Sequence, residues 1–326
     1  MLATCLNSVL KQDLGSSEII IVDDGSTDLS LDVVKNTIGG RPNVRIISHS
    51  ANQGLSNTLN EGIKESKGEY VQIVHQDCEI LDKDYVRKAI ESLETDPEIA
   101  AVTGRRVYEI DKLSDREKLF MVANGHLSEI SHRDQGTQDV TFTEHKCDLF
   151  RKSTVESIGG FPDEHFRSSG EDQILSSELR SRGYRLVRLD SISYRLGFGN
   201  KESTLGGILK KLFVYGMTQA GVLVRRRRSS IKGITNSKAL TGRAMNRLQM
   251  ILFSFVTATG LILSLFSPYF LLASAGAIAL RILTYSRGLH RIRGKTRLAV
   301  VGPLLDMTYS VGFVKGLVVS SMGGKL

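Results

Sequence analysis

The amino-acid sequence predicts an α/β fold with a mostly parallel, doubly wound sheet, followed by an α-helical membrane region. Short β-branched runs alternate with helical stretches across residues 18–103, a pattern typical of a parallel sheet covered by helices. Residues 248–280 contain no charged side chain, which indicates a membrane-spanning region. The mixed composition, with 24% charged and 41% hydrophobic residues, excludes a disordered chain, a collagen-like fibre and a disulfide scaffold.

Charge divides the chain between the same two regions. Residues 201–326 carry 19 Lys and Arg against two acidic residues, a net charge of +17, so residues 1–200 contribute −9 to the total of +8. A basic segment of this size indicates an anionic partner, either a membrane surface or a nucleic acid. Because the basic residues flank an apolar run and lack interleaved aromatic residues, they predict anionic membrane lipids as partners and no nucleic acid.

Four strands are predicted in the first region, at residues 18–22, 44–47, 70–74 and 99–103. Three helices are predicted between the strands. The first follows Asp28, and the other two occupy residues 55–67 and 84–95. In a sheet of this type, ligands bind at the carboxyl ends of the strands. Asp23 and Asp24 follow the first strand and Asp77 follows the third, so these carboxylates are expected at the ligand-binding edge.

Carboxylates at this edge have two functional interpretations and one structural one. They hold a hard divalent cation that neutralises a phosphate, or they accept hydrogen bonds from a base or ribose. The structural alternative for the VDDGSTD sequence is an acidic turn that caps a helix, with Ser26, Thr27 or Asp28 as the N-cap residue. The sequence lacks G-x-G-x-x-G after the first strand and lacks G-x-x-x-x-G-K-[ST], which excludes the dinucleotide fingerprint and the P-loop.

The apolar run is too long for one membrane helix and is predicted to form a hairpin. Pro268 lies near its middle and favours two spans, at about 248–266 and 269–285. Basic residues flank both ends of the run, so both ends are predicted to be cytoplasmic. The alternative is a pair of buried helices in a soluble protein.

These patterns predict four parts of the chain. Residues 1–200 form the α/β domain, 201–247 a basic amphipathic juxtamembrane linker, 248–285 the transmembrane hairpin, and 286–326 a basic loop and a final helix. The apolar stretch 298–322 contains Asp306, and a charge inside an apolar helix argues for an interfacial or re-entrant helix rather than a span.

Seven segments, in order, resemble one known family, the family-2 inverting glycosyltransferases with a GT-A nucleotide-sugar-binding domain. The resemblance covers about residues 1–220 and is closest to the subset with a C-terminal membrane region, so it implies a GT-A-like fold. The segments are CLNSVLKQ (5–12), EIIIVDDGSTD (18–28), NQGLSNTLNEGIKESKGEYV (52–71), HQDCEI (75–80), IGGFPDEHF (158–166), GEDQILSSELRSRGYRL (170–186) and KKLFVYGMTQAG (210–221).

The resemblance also implies roles for individual residues. Glu171 and Asp172 match the family's catalytic pair, whose Asp is similar to the general base, and Asp77 matches a carboxylate that coordinates Mg²⁺ or Mn²⁺ against the sugar diphosphate. The alternative for the Gly-Glu-Asp sequence is a charge pair at a helix N-terminus. The residues that match the nucleotide-binding positions are Asp23, Asp24, Ser26, Asn52 and Gly54.

Two features depart from the family pattern. His75 stands where the family's D-x-D motif has its first Asp, so His75 is a second candidate metal ligand, a nucleotide contact, or simply the end of a strand. The family's opening central strand precedes the CLNSVLKQ segment, and here that segment nearly begins the chain. We expect that the chain starts late; the alternatives are a sheet rearranged around the gap or an impaired enzyme.

The sequence therefore predicts a multi-pass cell-membrane protein whose catalytic domain is cytoplasmic. It is expected to bind a UDP-, GDP- or dTDP-sugar with Mg²⁺ or Mn²⁺ and to transfer the sugar with inversion. The expected acceptor is a polyprenyl-linked or other envelope glycan, because an anchored site meets a lipid-linked acceptor at high local concentration. The alternative hypothesis is a catalytically impaired homologue that binds nucleotide or lipid and acts as a membrane scaffold.

Overall fold

A computed structural model describes residues 1–12, 15, 17–126, 136–162, 170–197, 204–228 and 242–323, with backbone alone at 225–228 and 242–245. The strands are β1 (Ile19–Asp23), β2 (Val44–Ser48), β3 (Tyr70–Val74), β4 (Cys78–Ile80), β5 (Ile99–Val107), β6 (Thr137–Asp139), β7 (Cys147–Arg151) and β8 (Arg185–Leu196). The helices are α1 (Leu2–Leu10), α2 (Ser30–Ile38), α3 (Leu55–Glu65), α4 (Tyr85–Thr95), α5 (Asp115–Ala123), α6 (Lys152–Ser157), α7 (Glu171–Ser181), α8 (Leu205–Arg228), α9 (Gly242–Leu263), α10 (Tyr269–Arg291) and α11 (Gly302–Ser321).

The α/β class and the four predicted strands are confirmed, but the main sheet is mixed rather than mostly parallel. Its strand order is β3-β7-β5-β8-β4, with β6 also pairing with β8. Of these pairs only β5 with β8 is parallel, and the others are antiparallel. The prediction was wrong on this point because an alternating pattern shows that strands exist but not which strands are neighbours.

The antiparallel strand β7 is the reason for this difference. It stands between β3 and β5, which follow each other closely in the sequence pattern but do not pair. Tyr85 of α4 fastens the arrangement, since its hydroxyl donates to the carbonyl of Cys147 at 2.6 Å and accepts from the amide of Gly104 at 2.7 Å. The result is a buried core between α4 and the centre of the sheet.

Strands β1 and β2 form a separate parallel pair. A cavity of about 1620 Å³ lies between this pair and the main sheet, and residues of β1, β3 and α1 line it. Among the described residues, β1 pairs only with β2 and β3 only with β7, so each has an open edge.

Helix α8 packs against the first region of the chain. Its Ile208 and Leu212 are fully buried in a cluster with Leu119 and Phe120 of α5. Farther along the helix, Val222 packs on Ile174 of α7. The predicted juxtamembrane segment 201–247 thus contains a helix that is held firmly on the sheet domain, whereas residues 201–203 and 229–241 lie outside the described part of the chain.

The predicted break at Pro268 is confirmed, because α9 ends at Leu263 and α10 begins at Tyr269 with Pro268 as its N-cap residue. Three segments are long and apolar enough to cross a membrane: Asn246–Leu263, Tyr269–Arg291 and Thr296–Ser321. The last was expected to be interfacial or re-entrant because of Asp306.

Asp306 is not an isolated charge. The Arg281 guanidinium donates to it through Nε and, at 3.2 Å, through Nη2, and Tyr285 donates its hydroxyl at 2.9 Å. Both charged side chains are about 2% exposed or less. A buried acid with this set of donors is compensated, so the charge argument against a span does not hold for α11.

Candidate active site

The predicted nucleotide-binding residues come from two loops that touch each other. After β1 the chain turns at Gly25, whose φ of +71° favours glycine. A Cβ at Gly25 would lie 2.8 Å from the Ala51 carbonyl carbon and 2.9 Å from the Asn52 nitrogen, so only glycine allows this approach. Ser26 donates its amide to Asp23 at 3.4 Å, which keeps both residues at the end of β1.

Asp24 holds the second loop in place. Its carboxylate accepts from the Gln53 amide at 2.7 Å, from the Gly54 amide at 3.0 Å and from His49 at 2.8 Å. Partial burial opposes ionisation of Asp24, but the hydrogen bonds from Gln53 and His49 outweigh it and lower the pKa. Both carboxylate oxygens of Asp24 therefore support the loop, which leaves Asp23 as the more available acceptor of the pair.

The third strand ends in a cluster of ionisable side chains. The Lys146 ammonium lies 3.1 Å from His75 Nδ1 and 3.6 Å from Asp77 Oδ2. Burial, with Lys146 and His145 as neighbours, holds the pKa of His75 well below its ordinary value, so this imidazole is neutral. Lys146 and Asp77 are each about one quarter exposed, so a ligand can reach both side chains.

A chain of hydrogen bonds leads from this cluster to the predicted catalytic pair. Because an ammonium only donates, His75 accepts at Nδ1 and carries its proton on Nε2. It then donates to His145 Nδ1 at 3.0 Å, and His145 Nε2 donates to Glu171 at 3.2 Å. The backbone of His145 has a φ of 43°, a strained value that is frequent at functional sites.

Glu171 and Asp172 occupy the first turn of α7, after Gly170 with a φ of 102°. Burial would raise the pKa of Glu171, but the hydrogen bond from His145 outweighs it and lowers the pKa. Burial raises the pKa of Asp172 to about 6, and the neighbouring Glu171 carboxylate adds to the rise. Asp172 also accepts from the Gln173 amide at 2.7 Å. Such an acid is a base that operates near neutral pH.

Side chains of helices α8 and α9 extend to the surroundings of Asp172. Arg247 of α9 donates to Gln219 of α8 at 2.5 Å, and Gln219 and Gln173 exchange hydrogen bonds of 3.3–3.4 Å. Arg247 also lowers the pKa of Asp172 through its charge, although this is a weaker influence than burial. The candidate base is thus at the junction of the sheet domain and the apolar helices.

The donor chemistry of the third strand end does not fit a divalent metal held by the protein. Both ring nitrogens of His75 are occupied by Lys146 and His145, and the Lys146 ammonium adjoins Asp77, the sequence-predicted metal ligand. A cation on Asp77 would lie beside that ammonium and be repelled by it. Within the described ranges, no group of three or more His, Cys, Asp or Glu side chains is arranged to hold a metal ion.

The structure thus joins Asp77, His75 and Glu171 in one network with Asp172 beside it, and it joins Asp23, Asp24, Ser26, Asn52 and Gly54 in another. Sequence reasoning assigned no role to His145 or Lys146, which complete the first network. The available signal was their position: the two residues directly precede a strand of buried residues, β7, where polar side chains reach the sheet edge.

Comparison with known proteins finds one matching family model and several similar proteins. The model of the family described as Glycosyl transferase family 2 matches residues 1–159. The uncharacterized glycosyltransferase YibD of Escherichia coli is 38% identical over 97 residues, 30% of this chain and 28% of that protein. Poly-beta-1,6-N-acetyl-D-glucosamine synthase of Staphylococcus aureus is 29% identical over 233 residues, 70% of this chain and 53% of that protein. The chain spans about half or less of these relatives.

Among solved structures, the mannosyltransferase PcManGT from Pyrobaculum calidifontis, in complex with GDP-Man and Mn²⁺, has a similar fold. The TM-score is 0.57 at 17% sequence identity, over 96% of this chain and 83% of that one. The predicted GT-A fold is therefore confirmed, and the C-terminal helices follow it in the chain.

Proposed function

We propose that the chain transfers a sugar from a UDP-, GDP- or dTDP-sugar to a membrane-associated acceptor hydroxyl, with inversion, because residues 1–159 match the model of glycosyl transferase family 2. The acceptor proton moves to a base, the acceptor oxygen bonds to the anomeric carbon, and the bond from that carbon to the diphosphate breaks. The electron pair of that bond leaves with the nucleoside diphosphate. A single displacement of this kind needs one base and one means of stabilising the leaving diphosphate.

The observation that carries the proposal is the state of Asp172. Its pKa is raised to about 6, it stands in the first turn of α7, and its neighbour Glu171 is fixed by His145. A carboxylate with this pKa is ionised at neutral pH and still accepts a proton from a hydroxyl that is attacking carbon. We assign Asp172 as the base and Glu171 as the residue that positions its helix turn.

Asp23, Ser26 and Asn52 are the proposed nucleotide contacts, since they lie on the two loops that Asp24 and Gly54 hold together. The relative from Staphylococcus aureus is named for a polymer of N-acetylglucosamine. UDP-N-acetylglucosamine is therefore the first donor to test, followed by GDP- and dTDP-sugars.

The proposed location is the cell membrane, with the catalytic domain in the cytoplasm. The end of α10 and the segment after it lie against the sheet domain, since Lys295 pairs with Asp115 at 3.1 Å and Lys118 contacts the Arg293 carbonyl at 3.5 Å. That end of α10 is also rich in arginine. Basic ends of membrane helices favour the cytoplasmic side, which supports the same location for the sheet domain beside them. An acceptor attached to lipid would then meet Asp172 near the membrane surface.

Substitution of the base tests the proposal. Purified full-length chain in detergent or nanodiscs is given each donor with a polyprenyl-linked acceptor, and Asp172→Asn is expected to lower kcat by about 10²–10⁴-fold. Binding of UDP, measured by calorimetry, should stay the same. Asp32→Asn is the matched control, since Asp32 is an exposed acid in the first turn of α2.

Three outcomes separate the alternatives. Full transfer by Asp172→Asn would remove Asp172 from its assigned role. Nucleotide binding by the wild-type chain without transfer or hydrolysis of any donor would favour a scaffold that has lost catalysis. Transfer with retention of the anomeric configuration, read by NMR of the product, would contradict the single displacement.

A further inference from the structure

We propose that the Lys146 ammonium binds the diphosphate of the donor in the place of a divalent cation, so that donor binding needs neither Mg²⁺ nor Mn²⁺. The inference rests on the proposed function, because it concerns the same nucleotide-sugar site. It starts from the mismatch between the residues at the end of β3 and a metal site.

The Lys146 ammonium lies close to both side chains that were predicted to hold a metal ion. Its Nζ lies between His75 and Asp77, at 3.1 Å from the imidazole and 3.6 Å from the carboxylate. A divalent ion held by this segment would need the same two side chains and the same space between them. The ammonium therefore provides the positive charge at that point of the site.

The backbone fixes this position. The His75 amide donates to the Lys146 carbonyl at 3.0 Å, which continues the β3–β7 ladder where Val74 is paired with Cys147. A residue held by a sheet edge keeps its side chain on the same face as its neighbour across the ladder. Lys146 is thus part of the site's framework rather than a mobile surface lysine.

The state of His75 supports the same conclusion. Its Nδ1 accepts from Lys146 and its Nε2 donates to His145, so neither nitrogen has a free lone pair for a metal. His75 also stands where the D-x-D motif of the resembled family has its first Asp. A neutral imidazole at this position leaves the site with one negative charge fewer. The Asp77 carboxylate then balances one ammonium rather than a doubly charged ion.

Lys146 still has capacity to bind a ligand. An ammonium has three N–H groups, and among the described residues Lys146 has one hydrogen bond, to His75, and one ion pair, with Asp77. About one quarter of the side chain is exposed. As the bond to the anomeric carbon breaks, its electron pair adds negative charge to the diphosphate oxygen, and a nearby ammonium stabilises that charge.

Two nearby guanidiniums, those of Arg106 and Arg195, are already paired with carboxylates. Arg106 pairs with Glu144 and donates to Tyr108 at 2.7 Å, in a buried position. Arg195 is paired with Glu79 and Glu109. Each of these guanidiniums thus has a carboxylate partner closer than the 3.6 Å that separates the Lys146 ammonium from Asp77.

Calorimetric binding of UDP to the full-length chain tests the proposal, first in EDTA and then in Mn²⁺; GDP and dTDP follow. Wild type is expected to bind with similar affinity in both. Lys146→Met should weaken binding in EDTA by about tenfold or more, the range for a hydrogen bond to a charged group, and Lys146→Arg should retain most of it. Lys152→Met is the control, because Lys152 begins α6 directly after β7 and bonds to the Ser66 carbonyl and Glu156.

A double substitution tests the exchange of ammonium for metal. His75→Asp with Lys146→Ala restores a second carboxylate and removes the ammonium, so UDP binding should become dependent on Mn²⁺. Thermal unfolding of each variant separates loss of the site from loss of the fold.

The outcomes are distinct. Wild-type binding that disappears in EDTA and returns with Mn²⁺, or unchanged EDTA affinity in a folded Lys146→Met variant, would overturn the role of Lys146 and leave the proposed function standing. Failure of the wild-type chain to bind any of the three nucleotides under either condition would overturn the proposed function itself, and this inference with it.

Discussion

The sheet domain and the C-terminal helices place apolar residues in opposite ways. In the sheet domain the large apolar side chains form buried clusters around β5, β7 and β8. At the tip of the α9–α10 hairpin, Leu265, Phe266, Tyr269 and Leu272 are 70–84% exposed. Exposed apolar surface is costly in water and costs little in hydrocarbon, so the two regions are built for different solvents.

The two regions also differ in how completely their charged side chains are paired. In the helices, Arg281 and Asp306 are buried and satisfy each other. In the sheet domain, Asp172 is held in a state that resists ionisation, and Lys146 is only partly satisfied. Complete pairing stabilises a structure, whereas incomplete pairing leaves a group able to react or bind. The comparison separates structural charges from those proposed to act on substrate.

The largest stability effect is expected at the paired charges of the helices. Asp306→Ala leaves the Arg281 guanidinium buried without its carboxylate, which costs about 3–5 kcal/mol in systems of this kind. Unfolding of the full chain in detergent measures it. Arg287→Ala is the control, because Arg287 lies on the exposed face of α10, the helix that carries Arg281, and it should change little. Equal losses from both variants would contradict the structural role of the pair.

Close packing of helices α8 and α11 is expected to give the next effect. Gly312 lies so close to α8 that a Cβ would overlap the carbonyl oxygen of Phe213, whereas a Cβ at Gly276 would meet nothing within 4 Å. Gly312→Ala must push the helices apart and should destabilise by about 1–3 kcal/mol, as overpacking does. Gly276→Ala should be neutral or slightly stabilising. The same unfolding assay compares the two, and equal values would mean that the contact is not tight in solution.

A matched pair of glycines tests the nucleotide loops. Gly25 and Gly40 both have a φ of +71°, so alanine costs about 1–2 kcal/mol of backbone strain at either position. Only at Gly25 does the added Cβ meet another loop, at Ala51 and Asn52. Gly25→Ala should therefore weaken UDP binding several-fold, and Gly40→Ala should not. Identical UDP affinities in two folded variants would exclude a role for that contact in binding.

The smallest expected effect is a shift in pH dependence. Transfer should rise with pH through about 6, because protonated Asp172 cannot accept the proton of the acceptor. The charge of Arg247 lowers the pKa of Asp172, so Arg247→Gln should move the midpoint of the profile to higher pH. A profile of kcat against pH measures both. A midpoint that moves down, or no acid limb at all, would contradict the assignment of the base.

Much of the fold was predictable because its signals are local. The strand before Asp23, the strand 70–74 and the break at Pro268 all appear where the sequence indicates them. Each depends on side-chain patterns or backbone restrictions within a few residues. The neighbours of each strand were not predictable in this way, because β7 pairs with β3 across more than 70 residues.

The candidate site was likewise predictable only in part. Asp23, Asp77 and Asp172 were predicted from their motifs, but the motifs did not show that both oxygens of Asp24 hold a loop or that His75 bonds to Lys146. Likewise, Asp306 alone argued against a membrane span, and only its contact with Arg281 removes that argument.

The sequence by itself determined the order of the two regions, their opposite charges, the strand ends that carry acids and the hairpin break. Those features follow from composition, periodicity and backbone chemistry, which are properties of neighbouring residues. The tertiary structure alone decided which strands pair, which carboxylates are free, and where Lys146 and Arg281 find their partners. Those features depend on contacts between distant residues, because burial and hydrogen bonding set the state of a charge only after the chain has folded.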